Sequence, residues 1–244
     1  MMAGDVIRPL RGAIGLALRP PSLVAWLVVL SMATGLRAFR TRPNIDIEPL
    51  ASIWLGLLMF VGPALISAII IFALSRTLLD DAAGYGRPLY GRFVGLYVLA
   101  VIVVEFLSFA GTIAVFSSGP SETLLVYGSP FVGSLASIAV FPLFVRCFAT
   151  AAGIEEPRLG SVWSFVFDQG KWVYFWYAVC SFGFNLLGPF TFVNLLPAGE
   201  GNDLPGNLIQ SAIAATAQIL RSMLDIVAVK MVATGRQEDV EVFA

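Results

Sequence analysis

The sequence predicts an all-α fold: a polytopic membrane helix bundle of six transmembrane helices with short loops and one or two interfacial amphipathic helices. Three observations carry that expectation. Of 244 residues, 58% are apolar and 13% charged, and the mean hydropathy is +0.85. A water-soluble domain carries about 25% charged residues to cover its surface. Apolar stretches of the length a bilayer demands, about 20 residues, recur along the chain. Finally, Lys and Arg gather in alternate connections, as cytoplasmic loops retain them.

Residues 1–21, "GDVIRPLRGAIGLALRPP" within them, mix Arg8, Arg11 and Arg19 with Val6, Ile7, Leu10, Ile14 and Leu18. That pattern suits a helix lying on the cytoplasmic membrane surface. The basic flank resembles that of a signal peptide, but no small-residue cleavage site follows, so an uncleaved first span is expected. The membrane domain then occupies 22–233, with spans at about 22–39, 51–75, 93–116, 124–149, 172–196 and 207–233. Residues 234–244 form a cytoplasmic tail.

Orientation follows from the basic residues. Arg8, Arg11 and Arg19, then Arg76, Arg87 and Arg92, then Arg146, Arg158 and Lys171, and finally Lys230 and Arg236 fall on one side. Only Arg37, Arg40 and Arg42 fall on the other, which places both termini in the cytoplasm. A second interfacial stretch, "RLGSVWSFVFDQGKW", leads into the aromatic "WVYFWY", whose Trp and Tyr suit headgroup depth. The same stretch with Arg158 and Lys171 would also suit a lipid headgroup site.

Composition excludes several functions. A net charge of −1 without a basic stripe argues against nucleic acid. The chain has no His, which removes the commonest metal ligand and the triad base. Cys147 and Cys180 lie in separate apolar segments without CxxC spacing and read as packing thiols. "DDAAGYGRPLYGR" lacks the GxxxxGK pattern of a phosphate loop. No catalytic residue, cofactor or metal is predicted, and the chain is not expected to be an enzyme. The expected partners are membrane lipids and other membrane proteins.

Charge inside the spans is the feature that asks for an explanation. In the sixth, Asn207, Ser211, Ala214, Gln218, Arg221 and Asp225 recur at alternating spacings of four and three, which is one face of a helix. The opposite face, Ile209, Ile213, Leu220, Leu224, Val227 and Met231, is expected to meet lipid. The third span carries Tyr97, Glu105, Ser108 and Thr112. At ~1.5 Å per residue, Glu105 lies about 20 Å beyond Arg92, while Arg221 and Asp225 lie about 22 Å and 17 Å before Arg236. The three therefore share one layer, and an isolated charge there costs roughly 2.5–3.5 kcal/mol. A triad follows as the expectation, with Arg221 held between Asp225 and Glu105. Such a triad either locks helix register or lines a polar cavity for a solute or proton. Elsewhere, Ser129, Gly133 and Ser137 form a small-xxx-small ridge for close helix approach. Pro63, Pro130 and Pro142 mark kinks.

The layout resembles one family. The stretch "LFVRCFATAAGIEEPRLGSVWSFVFDQGKWVYFW", chiefly Val145 to Trp176, follows the fourth span with a basic residue, a short turn and an amphipathic helix. It resembles YciC-like and glycerophosphodiesterase-membrane-domain-like bacterial six-helix membrane proteins. The resemblance implies a multi-pass protein of the bacterial inner membrane and carries over no catalytic residue. The charged "RAFRTRPNIDIEP" loop departs from that pattern. An uncharacterised role in organising the envelope is the first functional expectation; a small-solute or proton-coupled permease is the second.

Overall fold

The structure, a computed structural model, describes residues 3–40, 49–79, 89–117, 122–153, 170–194 and 204–234. Every described element is an α-helix: α1 (Ala3–Ala17), α2 (Pro20–Arg40), α3 (Pro49–Leu79), α4 (Tyr90–Ser117), α5 (Glu122–Ala152), α6 (Lys171–Asn194) and α7 (Leu204–Thr234). Each of the six apolar stretches is thus helical. The stretch Arg158–Gln169, the charged loop at 41–48 and the tail beyond Thr234 lie outside the described residues.

Among the described residues, four helices are long and apolar enough to cross a bilayer: Val61–Leu79, Tyr90–Val115, Tyr127–Ala152 and Gly206–Val232. A fifth candidate is the pair Asp5–Ala17 and Pro20–Leu36, bent by 77°. The bend has a local cause. Pro20 pushes Arg19 out of helical geometry, and the Ser22 hydroxyl donates to the freed Leu16 carbonyl at 2.7 Å.

Burial runs opposite to hydropathy at the two extremes of this set. α4 has the highest mean hydropathy, 2.4, yet only 6% of its window is buried; α7 has the lowest, 1.5, and 61% is buried. A chain folding in water would bury its most apolar helix first. A chain folding in lipid hides its polar helix and turns the apolar ones outward. Phe106, Phe109 and Ile113 accordingly stand exposed on α4. Eight hydroxyls are satisfied within their own helices: Ser31, Thr34, Ser75, Thr77, Ser108, Thr112, Ser137 and Thr216 each donate to the carbonyl four residues back. That habit fits a medium without water. The chain is a multi-pass membrane protein by these criteria.

α7 forms the axis of the bundle, and one expectation fails on it. Its face bearing Leu224, Val227 and Met231 was assigned to lipid, but all three are buried. Lys230, counted as a cytoplasmic marker, is only 2% exposed. The cause is tertiary: α1, α2, α5 and α6 all pack on α7, so its C-terminal half has no outer face. Ile209 remains exposed at the other end.

Two indole donors staple the bundle. Trp26 Nε1 donates to Thr216 Oγ1 at 3.0 Å, joining α2 to α7, and Trp176 Nε1 donates to the Val6 carbonyl at 2.6 Å, joining α6 to α1. Trp176→Phe removes the second bond and is expected to cost about 1 kcal/mol. Hydrogen exchange should then speed up at the α1 amides and not at those of α4; unchanged α1 protection would refute the staple. α5 ends where Gly153 turns into the left-handed region (φ 69°), with Leu89 N donating to the Thr150 carbonyl at 3.1 Å and Arg76 Nη1 reaching the Ala151 carbonyl at 3.5 Å. Gly at such a position ends helices cheaply.

Candidate functional site: a polar cavity within the bundle

A cavity of about 980 Å³ opens among the helices, and every described helix except α1 contributes to its wall. α2 supplies Met32 and Leu36, and α3 supplies Pro63, Ala64 and Ser67. From α4 come Tyr97, Val101, Val104, Glu105 and Ser108; from α5, Ser129, Gly133, Ser137, Phe144 and Phe148. α6 adds Tyr177, Phe184 and Asn185, and α7 adds Gln210, Ala214, Gln218, Arg221, Ser222 and Asp225. Its size matches sites for drug-sized molecules, which run to roughly 1,000 Å³. It lies at the level of the apolar windows of α4 and α7, where polar groups are costly.

Helical periodicity puts these groups there. Gln218, Arg221 and Asp225 follow at three and four residues and so share one face of α7. Glu105 and Ser108 are likewise neighbours on α4. The three ionisable residues differ in burial: Glu105 is exposed, Arg221 half-buried and Asp225 buried, so they pass from the rim of the cavity inward. Arg221 and Asp225 are near enough to influence each other electrostatically.

The contacts at Arg221 and Asp225 bear on the expected triad. Arg221 Nε donates to the carbonyl of Ala217, one turn back, at 3.2 Å. Asp225 Oδ1 is buried and has no hydrogen-bond partner among the described residues. Charge is thus gathered at the cavity wall, and on α7 the guanidinium of Arg221 turns to its own backbone while Asp225 Oδ1 keeps no hydrogen-bond partner among the described residues. A helix that engages Arg221 with its own backbone leaves the Asp225 carboxylate available to something entering the cavity.

The remaining polar positions divide. Tyr97, Ser108, Gln218, Ser129, Gly133 and Ser137 line the cavity. Gln218 Nε2 donates to the Tyr97 hydroxyl at 3.4 Å, bridging α7 to α4. Asn207, Ser211 and Thr112 do not line it. Asn207 and Ser211 are buried, and Thr112 Oγ1, whose own proton goes to the Ser108 carbonyl, accepts from Ser129 Oγ at 3.2 Å. The small-residue ridge of α5 meets α4, since a Cβ on Gly133 would lie 3.6 Å from Ser108 Oγ. The tightest approach is elsewhere, at Gly111, where a Cβ would collide with Val132 Cγ1.

Sequence reasoning missed the aromatic half of the wall. Tyr97 stacks on Phe93 (5.8 Å, 18°) and meets Phe144 edge-on (5.9 Å, 67°), while Phe93 meets Phe148 edge-on (5.7 Å, 76°). Ser67 and Asn185 were also overlooked. The lone amide of Asn185 in "SFGFNLLG" was the available signal; its Nδ2 donates to Ser134 Oγ at 3.1 Å. Cys147 and Cys180 are free and buried. Among the described residues no three ligating side chains meet closely enough to hold a metal.

No family model, no curated protein and no solved structure matches this chain.

Proposed function

We propose that the chain is a non-enzymatic, six-span protein of the bacterial inner membrane, with both termini cytoplasmic, whose central cavity receives a small solute and passes it across. The observation that carries this reading is the cavity itself, which sets polar and ionisable side chains among apolar ones at the level of the apolar windows. A bundle needing charge only for register would close it off, because an unmatched charge in hydrocarbon is penalised. The buried, partnerless oxygen of Asp225 favours the permease over the envelope-organising role, and the resemblance to bacterial six-helix proteins agrees with the setting. The basic residues of alternate loops support the orientation. The exposed Ile7 and Ile14 on α1 and Leu18 just past its end, with Arg11 beside them, support a surface-lying N-terminal helix.

Solvent access tests the reading. Gln218→Cys, in a background carrying Cys147→Ala and Cys180→Ala, is expected to react with a membrane-impermeant maleimide added to one side of sealed vesicles. Complete protection from both sides would mean that water does not reach the cavity, and the structural role of the charges would stand instead.

A further inference from the structure

We propose that the cavity binds an organic cation, an arylalkyl- or alkylammonium of small-molecule size, with its charged nitrogen on Asp225 and its apolar body against Tyr97, Phe144, Phe148 and Tyr177. The inference rests on the solute-cavity reading and adds the chemical class.

Hydrogen-bond demand gives the first argument. Asp225 is 3% exposed, lines the cavity, and leaves Oδ1 without a partner among the described residues. A carboxylate only accepts, so whatever satisfies it must bring an N–H or O–H donor. An ammonium brings both the donor and the opposite charge, and a charge-assisted bond is about twice as strong as a neutral one.

The aromatic wall gives the second, independent argument. Tyr97, Phe144, Phe148 and Tyr177 line the same space; Phe93 stacks on Tyr97 and meets Phe148 edge-on, Phe144 meets Tyr97 edge-on, and Tyr177 packs on Phe141. Aromatic faces are electron-rich, so they attract a cation within about 6 Å and repel an anion. The cavity is also large enough for an aryl group beside the charge.

Arg221 is the counter-argument, and its geometry limits it. Its Nε is spent on the Ala217 carbonyl, and it stands one turn from Asp225 on the same helix. An anion approaching Arg221 would therefore come alongside a carboxylate and against aromatic faces. A cation on Asp225 has Arg221 as a neighbour as well, which keeps binding reversible. That balance suits a site that must release what it takes up.

Two probes of equal shape and opposite charge decide it: 2-phenylethylammonium and 3-phenylpropanoate. With the purified full chain carrying Gln218→Cys in the Cys-free background, maleimide labelling in detergent is expected to slow about tenfold with saturating 2-phenylethylammonium. It should change little with 3-phenylpropanoate. Asp225→Asn should abolish that protection. Equilibrium dialysis of the unmodified protein against both probes gives the same comparison should a variant fail to fold. If labelling occurs but the anion protects as well as the cation, or neither protects, the cation class is wrong and the open cavity stands. If the cation protects equally in Asp225→Asn, the carboxylate is not its anchor. No labelling at all would remove the solute cavity, and the inference with it.

Discussion

Gly111→Ala is expected to destabilise the protein by about 1–3 kcal/mol, the usual cost of forcing extra volume into a packed interface. The added Cβ would fall on Val132 Cγ1, and Val132 is β-branched with a stiff χ1, so it cannot swing away cheaply. In a membrane the effect is amplified by what holds helices together. Lipid tails are as apolar as Leu, so close van der Waals contact at small residues does the work that the hydrophobic effect does in water. α4 packs most extensively on α5 and next on α3, and its remaining face is outward, so the α5 contact is its main support. Moving it would carry Tyr97, Glu105 and Ser108 out of the cavity wall. Thermal unfolding in detergent should fall for Gly111→Ala and recover largely with Val132→Ala added. A lack of recovery would show that Gly111 acts by some means other than clearance.

Arg221→Met is the second large effect. Asp225 is buried, and the cation acting on it is Arg221. Removing that cation leaves one unbalanced charge at depth, at a cost of roughly 2.5–3.5 kcal/mol. Asp225→Asn should cost less, because the half-buried Arg221 keeps the Ala217 carbonyl and can extend toward the open cavity. The double variant should therefore be more stable than Arg221→Met alone. This is a coupling that a double-mutant cycle measures directly. Additive losses would mean that the two residues are energetically independent despite sharing a face.

The ordering of the two experiments matters for function. Gly111→Ala tests the frame that holds α4 in the wall, whereas Arg221→Met tests the charge inside it. A folded Gly111→Ala protein with Gln218→Cys labelled faster than before would connect them, since loosening α4 widens the route to α7.

How much could be read beforehand varies from helix to helix for physical reasons. The helical stretches were legible because length and apolar composition are local properties, readable within 20 residues. The α7 stripe was legible too, since Gln218, Arg221 and Asp225 belong to one helix and obey its period. The aromatic wall was not. Phe144, Phe148 and Tyr177 look like any lipid-facing residues until the crossing of α5 and α6 turns them inward. Gly111 was missed because a clearance belongs to two helices, and its partner Val132 gives no sign in the sequence.

Sequence alone determined that the chain consists of long apolar helices with ionisable groups set into two of them, because each of those features is decided by neighbours along the backbone. The tertiary structure alone decided that α7 is central, that the C-terminal half of its supposed lipid face is covered, and that Glu105, Arg221 and Asp225 line a shared space. The reason is that hydropathy states what a residue tolerates beside it, and in a membrane an apolar residue tolerates both acyl chains and another helix equally well.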